Sequence, residues 1–122
     1  MKIPVTGKLL RIFIGESDRY DGKPLYEAIL LRARGEGLAG CTVIRGLAGF
    51  GASSRVHTTK ILRLSEDLPM VIEIVDAEAK IDQFVKEIDG MIQEGLVTVE
   101  QVQVIVYRHH EANVSADITD RF

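Results

Sequence analysis

The sequence predicts an α+β sandwich, a four-stranded antiparallel sheet with two helices on one of its faces. Three observations predict it. Short apolar runs with strand character recur near the start, in the middle and towards the end of the 122-residue chain. Two stretches between them repeat apolar residues at helical spacing. The order along the chain is β-α-β-β-α-β, and two right-handed crossovers turn that order into a sheet covered on one side, the ferredoxin-like split βαβ arrangement.

Residues Lys8 to Gly15 open the order as a strand, with Leu10, Ile12 and Ile14 on one face and Leu9, Arg11 and Phe13 on the other. A polar loop follows, and its Asp21-Gly22 pair is a turn signal. Pro24 suits the first position of a helix, where its missing donor has no partner to lose, and that helix runs to about Glu36. Leu25, Ile29 and Ala33 lie four residues apart on its apolar stripe, and Gly35, Gly37 and Gly40 bracket its exit. Cys41 to Arg45 is a short strand. Strand character returns at Ile61 to Leu64 and again at Pro69 to Val75. Asp76 is placed to cap the second helix, in which Ala77, Ile81, Phe84, Val85, Ile88 and Ile92 share one stripe. Leu96 to Tyr107 reads as a long final strand.

One side of this sheet belongs to the helices. The other is not cleanly polar, because Phe13, Val43, Ile105 and Tyr107 are expected to point away from the helices. Several apolar residues on an open face mark a partner surface, and association through the sheet is the expectation.

Bulk composition narrows the function. Charged residues make up 27% and hydrophobic residues 46%, which is globular and not disordered. A net charge of −3 speaks against a nucleic-acid partner, since neutralising phosphates needs an excess of Lys and Arg. A single cysteine, Cys41, allows no intramolecular disulfide and fits a reducing compartment. The start of the chain lacks the apolar run of a signal peptide, and no stretch has the ~20 apolar residues that span a bilayer, so the cytoplasm is expected. Residues 1–110 are expected to form one domain and 111–122 a polar tail.

The candidate chemistry lies between the second and third strands. Gly46, Gly49 and Gly51 permit positive φ and close approach of a ligand to backbone amides. Arg45, Arg55 and Lys60 add cations to the same stretch, with His57 as a further donor. Glycine amides with arginines suit an anionic phosphate group, although the Walker A order is absent. A hairpin loop whose glycines only turn the chain explains the same residues. Catalysis finds little support. Ser53 and Ser54 adjoin Arg55 without a nucleophile elbow, and Cys41 reads as a small buried hydrophobe, so no enzyme is expected. His109 and His110 point to opposite sides of an extended chain and cannot easily chelate one metal together.

Specific residues carry a resemblance. Arg45-Gly46-Leu47-Ala48-Gly49-Phe50-Gly51, continuing through Arg55-Val56-His57-Thr58-Thr59-Lys60, resembles the signature of the domain-of-unknown-function family DUF190. Ser65-Glu66-Asp67-Leu68-Pro69, Leu9-Leu10-Arg11-Ile12-Phe13-Ile14-Gly15-Glu16, Gly22-Lys23-Pro24-Leu25 and Gly95-Leu96-Val97-Thr98-Val99-Glu100 agree with it. That family is grouped with PII-like proteins, ferredoxin-like trimers that sense small molecules, commonly adenine nucleotides. The resemblance implies a homotrimer, a small anionic effector in clefts between subunits, and a loop over 46–60 whose conformation a partner reads. Within it Arg45, Arg55, Lys60 and His57 meet the anion, Gly46, Gly49 and Gly51 shape the loop, and Phe50 contacts the base or the partner. The loop over 90–96 meets the same cleft, lacks any basic residue, and leaves Arg108 to compensate in part. Some members are encoded beside or fused to fluoride-exporter membrane proteins, which makes a membrane transporter or channel the expected partner. A CutA-like divalent-metal trimer and a ligand-free transporter adaptor are the alternatives.

Overall fold

The computed structural model describes residues 5–51 and 67–108. Strand β1 (Val5–Gly15) is central, and it exposes one alternate set of side chains while burying Leu10, Ile12 and Ile14. A two-residue ladder follows, β2 (Arg19–Tyr20) with β3 (Lys23–Pro24), and leads into helix α1 (Leu25–Gly35). Then come β4 (Thr42–Arg45), β5 (Pro69–Asp76), helix α2 (Glu78–Asp89) and β6 (Leu96–Val104). The sheet order is β4-β5-β1-β6 and every neighbouring pair is antiparallel. This is the predicted fold.

Both helices cover the same side. Leu25, Ile29 and Ala33 of α1 and Ile81, Phe84 and Ile88 of α2 close over β1 and over Met70, Ile72 and Ile74 of β5. Each large apolar side chain so buried is worth roughly 1.5–3 kcal/mol, which makes this layer the main source of stability. Lys8 reinforces it from β1, reaching Asp82 at 2.7 Å and Glu78 at 3.3 Å on α2. No helix among the described residues is long and apolar enough to cross a membrane.

Several sequence expectations shift locally. The first strand begins at Val5, because its pairing with β6 runs from Val5–Val104 to Phe13–Leu96. Pro24 is not helical. It ends the β2–β3 ladder, and α1 opens at Leu25, whose N–H donates to the Asp18 carbonyl at 2.8 Å. Asp76 does not cap α2 through its first-turn amides. It is fully buried, and its carboxylate accepts the N–H of Ala77 at 2.7 Å and of Ala39 at 2.8 Å. The last strand stops at Val104, after which the Tyr107 hydroxyl donates to the Ala39 carbonyl. The expected strand at Ile61 to Leu64 lies outside the described residues.

Val43 belongs to the covered side, not the open one, since it stands opposite Ile72 and packs on the core. Ile105 and Tyr107 lie beyond the sheet. By register the open face instead carries Leu9, Phe13, Val71, Val75, Leu96 and Ile44. Arg11 stands among them, its Nε 2.8 Å from Glu73 and its Nη1 2.8 Å from Glu100.

Replacing Asp76 by alanine removes the acceptor of two amides, one of them buried. Asp76→Ala is expected to lose about 2–3 kcal/mol in a urea titration, with the α1–β4 connection losing amide protection first.

A second prediction concerns Glu36, which ends α1, and Glu87 on α2. A hydrogen bond from Glu87, then desolvation, holds the Glu36 carboxyl above its ordinary value. The buried Glu87 Oε2 otherwise has no hydrogen-bond partner, and a proton on Glu36 supplies a donor to that carboxylate. The folded-state value is the higher one. The resulting stabilisation is therefore complete below the unfolded carboxyl value and lost as pH rises through the raised one. Melting temperature measured from pH 3.5 to 7 should carry this component, and Glu87→Gln should remove it.

Candidate functional site

Three connections share one end of the sheet. They are 16–24 after β1, the chain leaving β4 at 46–51, and 90–95 before β6. The register puts them there, because Arg45 stands opposite Met70, Met70 opposite Ile14, and Leu96 opposite Phe13.

Arg45 ends β4 in a two-pronged ion pair, its Nε 3.0 Å and its Nη2 3.1 Å from the carboxylate of Glu16. The pair ties β4 to β1 across the start of β5. With Arg45 exposed and Glu16 only half-buried, the pair is largely solvated and contributes about 1 kcal/mol or less.

The glycines after it have a local explanation. Gly46 donates its N–H to the Pro69 carbonyl at 2.6 Å, and a Cβ there would stand 2.6 Å from Pro69 Cγ. A Cβ on Gly49 would stand 3.1 Å from the same atom, whereas one on Gly51 would meet nothing within 4 Å. None of the three has a positive φ, so close packing on Pro69 decides the first two and left-handed backbone does not. Leu47 and Phe50 are then turned outward, 76% and 74% exposed.

Arg55, His57 and Lys60 lie outside the described residues, as do His109 and His110. Arg108 is exposed and follows Tyr107, which is tied to Ala39 near Asp76. Within one chain it therefore stands at the end of the sheet opposite Arg45. The 46–51 and 90–95 connections share an end but are three strands apart, about 14 Å at ordinary strand spacing.

Sequence reading missed Arg19. Asp21 (φ 52°) and Gly22 (φ 79°) form a tight turn that folds Arg19–Tyr20 back on Lys23–Pro24. This sets Arg19 beside Gln93 and Glu94, in a cleft of about 110 Å³ completed by Asp18, Leu25 and Met91. The 90–95 connection thus gains a cation from another element. The signal was the Asp-Gly dipeptide itself, which marks a two-residue hairpin as well as a turn. A second hollow of about 220 Å³ runs between α2 and β6, past Val85, Ile92 and Val97. Both fall below the ~300 Å³ at which pockets for drug-sized ligands begin.

Among the described residues no three His, Cys, Asp or Glu side chains gather as a metal site. Burial pushes the Cys41 thiol above its ordinary value, which leaves it protonated and a poor nucleophile.

Strand order, helix placement and the three loops at one end define a PII-like ferredoxin-like fold. Solved structures agree. CPII of Thiomonas intermedia K12 bound to ADP, AMP and acetate superposes with a TM-score of 0.61 at 17% identity, covering 84% of this chain and 92% of that one. The same organism's CPII, a nitrogen regulatory PII-like protein bound to ADP, AMP and bicarbonate, gives 0.58 at 21% identity, covering 84% and 91%.

The family follows from sequence. The model of the DUF190 family, described as an uncharacterized ACR, matches residues 7–104, and the chain belongs to that family. A UPF0166 protein of Aquifex aeolicus (strain VF5) is 46% identical over 101 residues, 83% of this chain and 95% of the relative. Another, from Methanocaldococcus jannaschii, is 33% identical over 101 residues, 82% and 93%.

Gly46→Ala drives a methyl group into Pro69 and is expected to cost about 1–3 kcal/mol in urea unfolding. Gly51→Ala, facing open space, should stay within about 0.5 kcal/mol of the parent.

Proposed function

We propose that this chain is a PII-like regulatory protein. It acts as a homotrimer whose clefts between copies bind a small anionic effector, an adenine nucleotide. The observation that carries the reading is the fold shared with CPII, whose structures hold ADP and AMP, together with three loops gathered at one end of the sheet. The two hollows among the described residues, about 110 and 220 Å³, are both smaller than the ~300 Å³ at which drug-sized sites begin, which fits a site completed by a second copy.

The anion meets Arg45, Arg55 and Lys60, with His57 and Arg108 as further donors. Gly46, Gly49, Phe50 and Gly51 complete the ligand-binding set. Arg45 enters with its guanidinium already oriented by Glu16, so it keeps little rotamer entropy to lose on binding. Ligand changes the conformation over 46–60, and a partner protein reads that conformation, a membrane transporter or channel at the cytoplasmic side. Such a switch requires that the nucleotide bind the two states unequally. Residues 1–110 form the binding domain and 111–122 its tail, and the chain signals without catalysing a reaction.

A thermal-shift titration with AMP, ADP, ATP, cyclic AMP, cyclic di-AMP, Zn²⁺ and Cu²⁺ tests this. An effector present at about a hundred times its Kd stabilises the folded state by about 2.7 kcal/mol. One nucleotide should therefore raise the melting temperature dose-dependently, and Arg55→Ala should abolish the rise. A response to metal alone, reversed by chelator, would replace the reading with a CutA-like metal-binding trimer. No response to nucleotide or metal up to millimolar would leave a ligand-free adaptor.

A further inference from the structure

The hairpin between β1 and α1 presents one arginine. In β2 successive side chains point to opposite sides, and Tyr20 packs against the hydrophobic core. Arg19 therefore faces outward, into the cleft of about 110 Å³ that it shares with Leu25, Met91, Gln93 and Glu94. It is exposed, and among the described residues it forms no ion pair, whereas Arg11 and Arg45 each hold a carboxylate. Asp18 completes the cleft wall, but one oxygen of its carboxylate already accepts the Gly15 N–H at 2.9 Å. Glu94 also has a partner.

Backbone contacts hold both walls of the cleft. On the hairpin side the Asp18 carbonyl accepts the Leu25 N–H at 2.8 Å, and Ser17 donates its N–H to the Asp67 carboxylate at 2.8 Å. Glu16, just before them, donates its N–H to the Leu68 carbonyl at 2.8 Å. On the other side the Met91 N–H donates to the Ile88 carbonyl at 2.9 Å. A Cβ on Gly95 would stand 2.8 Å from the Phe13 carbonyl oxygen, and its φ of 153° suits glycine. The chain that carries Arg19 and the chain that faces it are thus both tied to the sheet and helices, and the guanidinium is the movable part.

A guanidinium without a partner suits a phosphate, which it can grip with two parallel hydrogen bonds. The cleft has room for such a group but not for a whole nucleotide. Asp18 and Glu94 repel a free small anion. A phosphate therefore gains most here when the rest of its molecule is bound nearby and delivers it at high effective concentration. We infer that Arg19 is a phosphate-contacting residue of the effector site and supplies the cation that the 90–95 connection lacks. The inference rests on the nucleotide reading above and adds the residue that decides how strongly the phosphates count. Arg45 does not do this within one chain, since its strand lies at the far edge from β6 and its guanidinium is paired with Glu16.

Isothermal titration calorimetry with AMP, ADP and ATP tests the contact. Arg19→Ala should weaken the nucleotide that binds the parent best by about tenfold or more, and should flatten the salt dependence of its affinity. Arg19→Lys should recover part of the loss, since it restores the charge without the planar fork. Lys23→Ala removes an exposed cation of the same hairpin that does not line the cleft, and should bind as the parent does. In the parent, the Nε–Hε signal of Arg19 in a proton–nitrogen correlation spectrum, assigned by its disappearance in Arg19→Lys, should move on adding that nucleotide. Equal binding by the parent and Arg19→Ala, or an unmoved signal, overturns the inference and leaves the effector reading standing. An equal loss in Lys23→Ala overturns it too, because the general charge of the hairpin would then explain the effect. A parent that binds none of the three nucleotides overturns both.

Discussion

Burial of Leu10, Ile12 and Ile14 beneath both helices sets the pleat of β1, and the pleat of β1 orders the rest of the sheet. A strand sealed on one face cannot shift by a single residue without turning its apolar set to solvent. β5 is held on one side of it and β6 on the other, so their registers inherit that constraint. β4 takes its place from β5. The positions of all three end loops follow from a side-chain alternation only a few residues long.

The open face shows a second consequence. Arg11 is flanked by Glu73 and Glu100 on neighbouring strands, with Phe13 and Val71 one rung away. A lone arginine on a face that another chain covers would carry a large desolvation penalty. Here two carboxylates already hold the guanidinium. A chain laid over this face would move a fixed cluster of charge out of water, which would select among orientations more than it would add stability.

Most of the fold was legible because its two periodicities are strong. Ile81, Phe84 and Ile88 mark α2, and the alternation in β1 and β5 separates core from surface residue by residue. What sequence could not fix was where local chemistry gives way to tertiary partners. Asp76 has the identity of a helix cap, yet its carboxylate serves Ala39, 37 residues away, and no local pattern reports that. Val43 sits in a strand too short to show which of its faces is apolar, so its side was settled only by its pairing with Ile72. The candidate site was legible in composition rather than in geometry. Gly46 and Gly49 look like ligand-cradling glycines until the ring of Pro69 is seen against them. Arg19 drew no notice because it reaches the 90–95 connection by way of a two-residue hairpin.

β4 is a four-residue strand fastened at both ends. Ahead of it, Ala39 is held twice, its N–H by Asp76 and its carbonyl by Tyr107. Behind it, Gly46 is bound to Pro69 by a hydrogen bond and by close contact. So short a ladder has few rungs with which to resist sliding, and a slide of one residue would bring Ile44 inward and send Val43 out. Anchors at both ends remove that freedom. The strand is thus a splint and not a tether: its place in the sheet is set by contacts before and after it as much as by its own four residues.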